Sequence, residues 1–244
     1  MKHSNHRKPR QQRAQQALRI GLIATAGLAA VASAAPAQAA SGPAPAAPFG
    51  LTMPEVHIQA DSAISNAHRA HTRDFKASFA IHEYGDTIGA GIANQALASS
   101  SGCTGSEHCR SVALSFQIVT MGGSHLNLNA KNVSRAANNQ CTGCETMAGA
   151  YQFIVDTPQA MHLNSADRAK LTEIQRELYA LRGTTDSPAA LQQKADALAA
   201  RVVTVLKSAA AQAPAKAAPT RSGFFASPTS PKVTVHSLMD GWPS

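Results

Sequence analysis

Four cysteines in two loops of matching layout constrain this chain more than any other feature. Cys109 leads into Arg110-Ser111-Val112-Ala113-Leu114-Ser115-Phe116-Gln117-Ile118-Val119. Cys144, thirty-five residues later, leads into Glu145-Thr146-Met147-Ala148-Gly149-Ala150-Tyr151-Gln152-Phe153-Ile154. Ser or Thr, Ala, an aromatic residue and Gln fall at the same offsets in both copies. Cys103 and Cys141 stand just upstream, and Asn94 and Asn132 precede those by nine residues each. An internal repeat defines the unit that folds, and this one holds every cysteine of the chain.

The N-terminus reads as a targeting segment. Lys2, Arg7, Lys8, Arg10, Arg13 and Arg19 precede an apolar run from Ile20 to Ala32, and Ala37-Gln38-Ala39 fits the small-x-small cleavage rule. Ala32-Ser33-Ala34 is a second candidate site. The run is too short and too rich in Ala and Gly for a stable span, which needs about 20 strongly apolar residues. No adjacent arginine pair marks the twin-arginine route. A signal peptide over residues 1–39 is therefore expected, and a secreted, extracellular chain that is either free or held at the cell wall. Its removal takes away six of the 22 basic residues and none of the 14 acidic ones, so the mature charge is 16 minus 14, or +2. No basic face remains to suit nucleic acid, and no later segment is apolar enough to span a membrane.

Residues 40–72 read as a disordered Ala/Pro-rich linker and 209–244 as a low-complexity tail, because such compositions bury too little apolar surface to offset chain entropy. Val233-Thr234-Val235 offers a short edge strand inside that tail. Between them, Phe75 to His82 alternates as a strand, and Tyr84-Gly85-Asp86 offers a turn. Ile88–Ala98 and Asn129–Asn138 read as short helices, weakened in the first by Gly89 and Gly91. Val112 to Ile118 and Met147 to Phe153 alternate as strands. Then come two stronger helices: one with Leu171, Ile174, Leu178 and Leu181 as its stripe and Ser165 as cap, the other with Ser187 as cap, Pro188 at its first position and Leu191, Ala195, Leu198, Val202 and Val205 as its stripe. The expected fold class is α+β: a small three-stranded sheet from a duplicated helix–cysteine loop–strand unit over 73–160, followed by an αα-hairpin over 161–208.

The cysteines admit three chemistries. An even number in an oxidising compartment favours structural disulfides among Cys103, Cys109, Cys141 and Cys144, with three pairings open. Four thiolates on one zinc is the second, although the five-residue gap between Cys103 and Cys109 is loose for a zinc ribbon. A redox-active Cys141–Cys144 pair is the third, but such a motif normally opens a helix, and this one leads into strand-like sequence. His82-Glu83 lacks the second histidine of a zinc-protease motif, and the remaining histidines share no ligand spacing, so they read as solvated loop residues. No nucleophile elbow or phosphate loop is present. Gln117 and Gln152, if buried, need similar hydrogen-bond partners. Asn94 and Asn132 read as helix-entry caps, and Asn132-Val133-Ser134 matches a glycosylation sequon.

Phe75 to Asp86, Cys109 to Ala113 and above all Asn138 to Phe153 resemble an uncharacterised family of secreted proteins from high-GC Gram-positive bacteria. Related segments are similar to extracellular parts labelled peptide zinc metalloprotease. The resemblance covers roughly Asp74 to Leu181 and implies no activity, cofactor or metal. This chain departs from the family's CxxC in the first loop, and the protease label does not carry over without a zinc-protease motif. The reading is of a non-enzymatic, disulfide-stabilised extracytoplasmic module that binds a protein or an envelope component. A thiol–disulfide oxidoreductase using Cys141 and Cys144, or a structural zinc-binding module, is the alternative. No catalytic, cofactor-binding or metal-ligating residue is assigned.

Overall fold

The computed structural model describes residues 55–123, 127–214 and 230–241. The expected signal peptide and the Ala/Pro-rich stretches 40–54 and 215–229 lie outside them. Among the described residues the chain is mostly β, which overturns the three-stranded α+β expectation. The strands are β1 (Glu55–His68), β2 (Arg73–Ser101), β3 (Arg110–Gly122), β4 (Asn127–Asn139), β5 (Glu145–Thr157) and β6 (Lys232–Asp240). Helices α1 (Ser165–Ala180) and α2 (Pro188–Ala211) lie between β5 and β6.

The strands form one mixed sheet ordered β1-β2-β3-β5-β6, with β4 also on β2. The length of β2 explains the branching. Its first half pairs with β3 as far as Asp86, and its second half pairs with β1 from Thr87 onward and with β4. Tyr84-Gly85-Asp86, read as a turn, is thus the corner where β2 changes partners. The chain therefore winds between two parallel layers, β1–β2–β4 and β2–β3–β5, while β6 adds to β5 antiparallel. Side chains of the first layer hydrogen-bond to the second, as Asn94 does to the Ser115 and Tyr151 carbonyls, so the layers face one another. β3 and β5, which carry the two matching sequences, lie side by side with every residue opposite the one thirty-five positions on, from Arg110↔Glu145 to Gly122↔Thr157.

The two short helices expected at Ile88–Ala98 and Asn129–Asn138 are strands, the second half of β2 and most of β4. Alanine favoured the helical reading for the first, despite Gly89 and Gly91. Tertiary context overrides propensity here because the facing layer packs on these strands: small side chains fill the end of the interval near the cysteine loops, hydrogen-bonded amides its middle, and Ile92, Val119, Met121 and Ile154 the other end. Ala63, Ala96, Ala98, Ala113, Ala148 and Ala150 form one buried cluster there. Residues 55–68, inside the expected linker, form β1, and β6 extends one residue before and five beyond Val233 to Val235 as a nine-residue strand.

The larger apolar core lies on the other side of β2–β3–β5. Phe116, Leu114, Ile118, Tyr151 and Phe153 are fully or almost fully buried there against Leu171, Ile174, Leu178, Leu191, Val202 and Leu206 of the helices. Phe116 centres it, with ring centroids 4.5 Å from Tyr151 and 5.8 Å from Phe153. Aromatic contacts of this kind add to simple area burial. Ser187 caps α2 through its hydroxyl, as expected, whereas Asn164 rather than Ser165 caps α1, accepting from the Asp167 amide at 2.8 Å. The Tyr151 hydroxyl donates to Asp196 of α2 at 2.7 Å. Burial, followed by this carboxylate, holds the phenol well above its ordinary pKa, so it remains a donor.

Gly149 provides the seat for β6. A side chain at Gly149 would collide with Met239 and come within 2.9 Å of Leu114 Cδ2. Gly149→Val is expected to lower stability by about 1–3 kcal/mol through overpacking. Denaturant unfolding measures this loss, and amide exchange locates it in β6; an unchanged midpoint would contradict the seating of Met239.

Candidate functional site

Three loops stack at one end of the winding, between β1 and β2, between β2 and β3, and between β4 and β5. Cys103 pairs with Cys109 and Cys141 with Cys144, at Cα separations of 6.1 and 5.9 Å. Each bridge is thus local to its loop, one of the three pairings left open by the sequence. The loops repeat one backbone design. The residue before the first cysteine has positive φ in each, +65° at Gly102 and +49° at Gln140, and so has the residue before the second, +46° at His108 and +69° at Gly143. Glycine takes this conformation freely, while His108 and Gln140 adopt it at a cost.

Backbone hydrogen bonds tie the loops together. The Gly102 amide donates to Asn139 at 3.1 Å, Thr142 to Cys103 at 3.0 Å and Glu145 to Cys109 at 2.9 Å. Arg69 of the first loop pairs with Glu107 of the second at 2.9 Å, and Arg110 with Glu145 at 3.2 Å. The sulfurs of Cys103, Cys109 and Cys144 lie within 4.8 Å of one another and are buried. As disulfides they offer no thiolate to a metal, and Cys141 is outside that group. Cys144 opens β5 rather than a helix, which removes the usual source of thiol activation.

Deeper between the layers runs a polar ladder. Asp61, Asn94 and Asn132 occupy one rank across β1, β2 and β4. The Asn94 amide donates to Asn132 Oδ1 at 3.0 Å, and Ser115 donates to Asn94 Oδ1 at 2.6 Å. Both asparagines are therefore strand residues facing inward, not helix caps. Asn132, the sequon residue, is itself engaged, donating to the Ala150 and His236 carbonyls. Opposite them, Gln152 donates to Gln117 at 2.8 Å, and Gln117 to Asp61 at 2.7 Å and to the Ala93 carbonyl at 2.9 Å. The two glutamines thus hold each other as well as backbone, a link that matching offsets alone did not specify.

The ladder ends on Asp61, which also meets His82 Nε2 at 2.6 Å. His57 stacks on Tyr84 with centroids 4.1 Å apart. His57 and His82 are thus strand residues with partners, His82 within the strand expected for it and His57 contrary to the reading of a solvated loop histidine. Asp61 was missed in the sequence because it lies outside both copies of the repeat. Burial raises its pKa, but hydrogen bonds from His82 and Gln117 outweigh this, and the carboxyl titrates below its ordinary value.

Among the described residues the outer face of β1–β2–β4 is bare, in contrast to the helix-covered face of β2–β3–β5. Val56, Ile58 and Ile64 on β1 are 61%, 86% and 57% exposed. Val56 leans over Gly89 and Ile58 over Gly91, the neighbouring residues of β2. No helix among the described residues is long and apolar enough to cross a membrane. No family model, curated protein or solved structure matches the chain.

The non-reduced chain is expected to weigh four hydrogens less than its reduced form, with peptides bridged Cys103–Cys109 and Cys141–Cys144 in a mass map. A bridge between the loops would contradict the pairing. Because Asp61 has a folded pKa below its unfolded value, its stabilisation is complete above the unfolded carboxyl range, near about 4, and is lost as pH falls through the folded value. Asp61→Asn is expected to flatten that acid limb of the stability–pH profile. Parallel profiles for the two proteins would refute the assignment.

Proposed function

We propose that this chain is an extracytoplasmic, disulfide-stabilised, non-enzymatic module that binds an envelope protein through the outer face of β1–β2–β4. The bare face of that layer carries the reading. All-parallel sheets occur almost entirely with both faces covered, and here one face of an all-parallel layer exposes Val56, Ile58 and Ile64. Exposed apolar side chains grouped on one face mark interaction surfaces. The two disulfides are compatible with an extracellular setting, where such bridges persist. Burial of three of the four sulfurs favours a structural over a thiol-exchange role.

The test is a double substitution, Ile58→Glu with Ile64→Glu. Both side chains point away from the core, so the variant is expected to keep the wild-type thermal midpoint. It is expected to pass from the envelope fraction of the exporting cell to the medium, while wild type is retained. Equal partition of the folded variant and wild type would remove this face as the binding surface.

A further inference from the structure

A cavity of about 290 Å³ opens where the first residues of β2 and β3 meet the 3-10 turn Leu181–Gly183 that follows α1. We infer that it is a binding site for a small organic anion, a phosphate ester or carboxylate carrying a compact apolar group. The charges on its wall are the first argument. Arg73, Lys76, Arg110 and Arg182 line it with a single carboxylate, Asp74. Lys76 pairs with Asp74 at 3.3 Å and Arg110 with Glu145 at 3.2 Å. The nearby Asp186 is engaged by Lys194. Among the described residues, that leaves Arg73 and Arg182 without a carboxylate partner. Arg73 reaches only the Thr184 carbonyl, at 3.5 Å.

Asp74 does not offset this excess. It also accepts from the Asn66 amide at 2.8 Å, so its oxygens are committed to the β1–β2 junction. Burial raises its pKa, but the hydrogen bonds from Asn66 and Lys76 outweigh this and keep it ionised. Two guanidinium groups over one cavity suit an oxyanion, because their planar forks donate paired hydrogen bonds to phosphate or carboxylate. The floor is the second argument. Phe75, Val112 and Leu181 contribute apolar surface beneath the cations, which a simple hydrated ion would leave unused. Charged groups that converge on a concave site also lined by apolar side chains are what fixes and orients a small ligand.

The site is separate from the bare face of β1–β2–β4, and its test does not depend on that surface. Phenyl phosphate is titrated into the disulfide-bonded protein while arginine side-chain Nε–H resonances are followed by NMR. Saturable shifts are expected at Arg73 and Arg182, with inorganic phosphate binding more weakly because it leaves the floor empty. Arg182→Ala, which removes an exposed side chain without a partner among the described residues, is expected to keep the wild-type thermal midpoint and to weaken phenyl phosphate by about tenfold or more. Arg182→Lys, which keeps the charge but loses the fork, is expected to fall between the two. Absence of saturable shifts, or wild-type affinity in Arg182→Ala, would overturn the site. Equal binding of the two phosphates would overturn the apolar part of the ligand.

Discussion

The narrow interval between the two parallel layers is the constraint on which the rest of this structure depends. Side chains facing into it are alanines toward the cysteine loops, amides that reach the opposite backbone with hydrogen bonds in the middle (Asn94, Asn132, Gln117 and Gln152), and aliphatic side chains (Ile92, Val119, Met121 and Ile154) beyond them. A buried amide left without partners costs about 1–3 kcal/mol, so these side chains oppose displacement of the strands that bear them. A register slip of one residue would exchange every inward side chain for an outward one. The amide ranks thus act on register as well as on stability.

The interval also explains the asymmetry of the molecule. The alanine and amide ranks bury little apolar surface, and the larger set with Leu114, Phe116, Ile118, Tyr151 and Phe153 faces the other way and takes its cover from α1 and α2. The helical pair covers one layer, and among the described residues nothing covers the outer face of β1–β2–β4. The cation-lined cavity forms at the margin of that cover, where the turn after α1 meets the starts of β2 and β3. Both proposed interaction sites therefore follow from where the helices sit.

At the loop end, local disulfides contribute differently from long-range ones. Bridges spanning six and three residues close short loops, and loop-closure entropy is smallest there. Their effect is to hold the left-handed residues at Gly102, His108, Gln140 and Gly143 in position, so that each loop presents amides and carbonyls to the next. Arg69–Glu107 and Arg110–Glu145 continue the same stacking in charge.

The alternation of apolar residues in β3 and β5, the capped stripes of the two helices and the equivalence of Cys103 with Cys141 and Cys109 with Cys144 are properties of the sequence itself, because period and spacing encode them locally. The identity of Ile88–Ala98 and Asn129–Asn138 as strands was not legible. Alanine, glycine and asparagine have no strong periodic signature, and only the facing layer makes their small size decisive. Glu55–His68 was hidden for a similar reason: it alternates weakly and acquires strand structure from the second half of β2. The partners of the candidate sites were equally out of reach. Asp61 meets Gln117 across fifty-six positions, and Arg73 meets the Thr184 carbonyl across one hundred and eleven. The sequence determined which residues had to be paired or buried, because their chemistry requires it. The tertiary structure decided which residues would be their neighbours, because that follows from the winding of the chain between two layers.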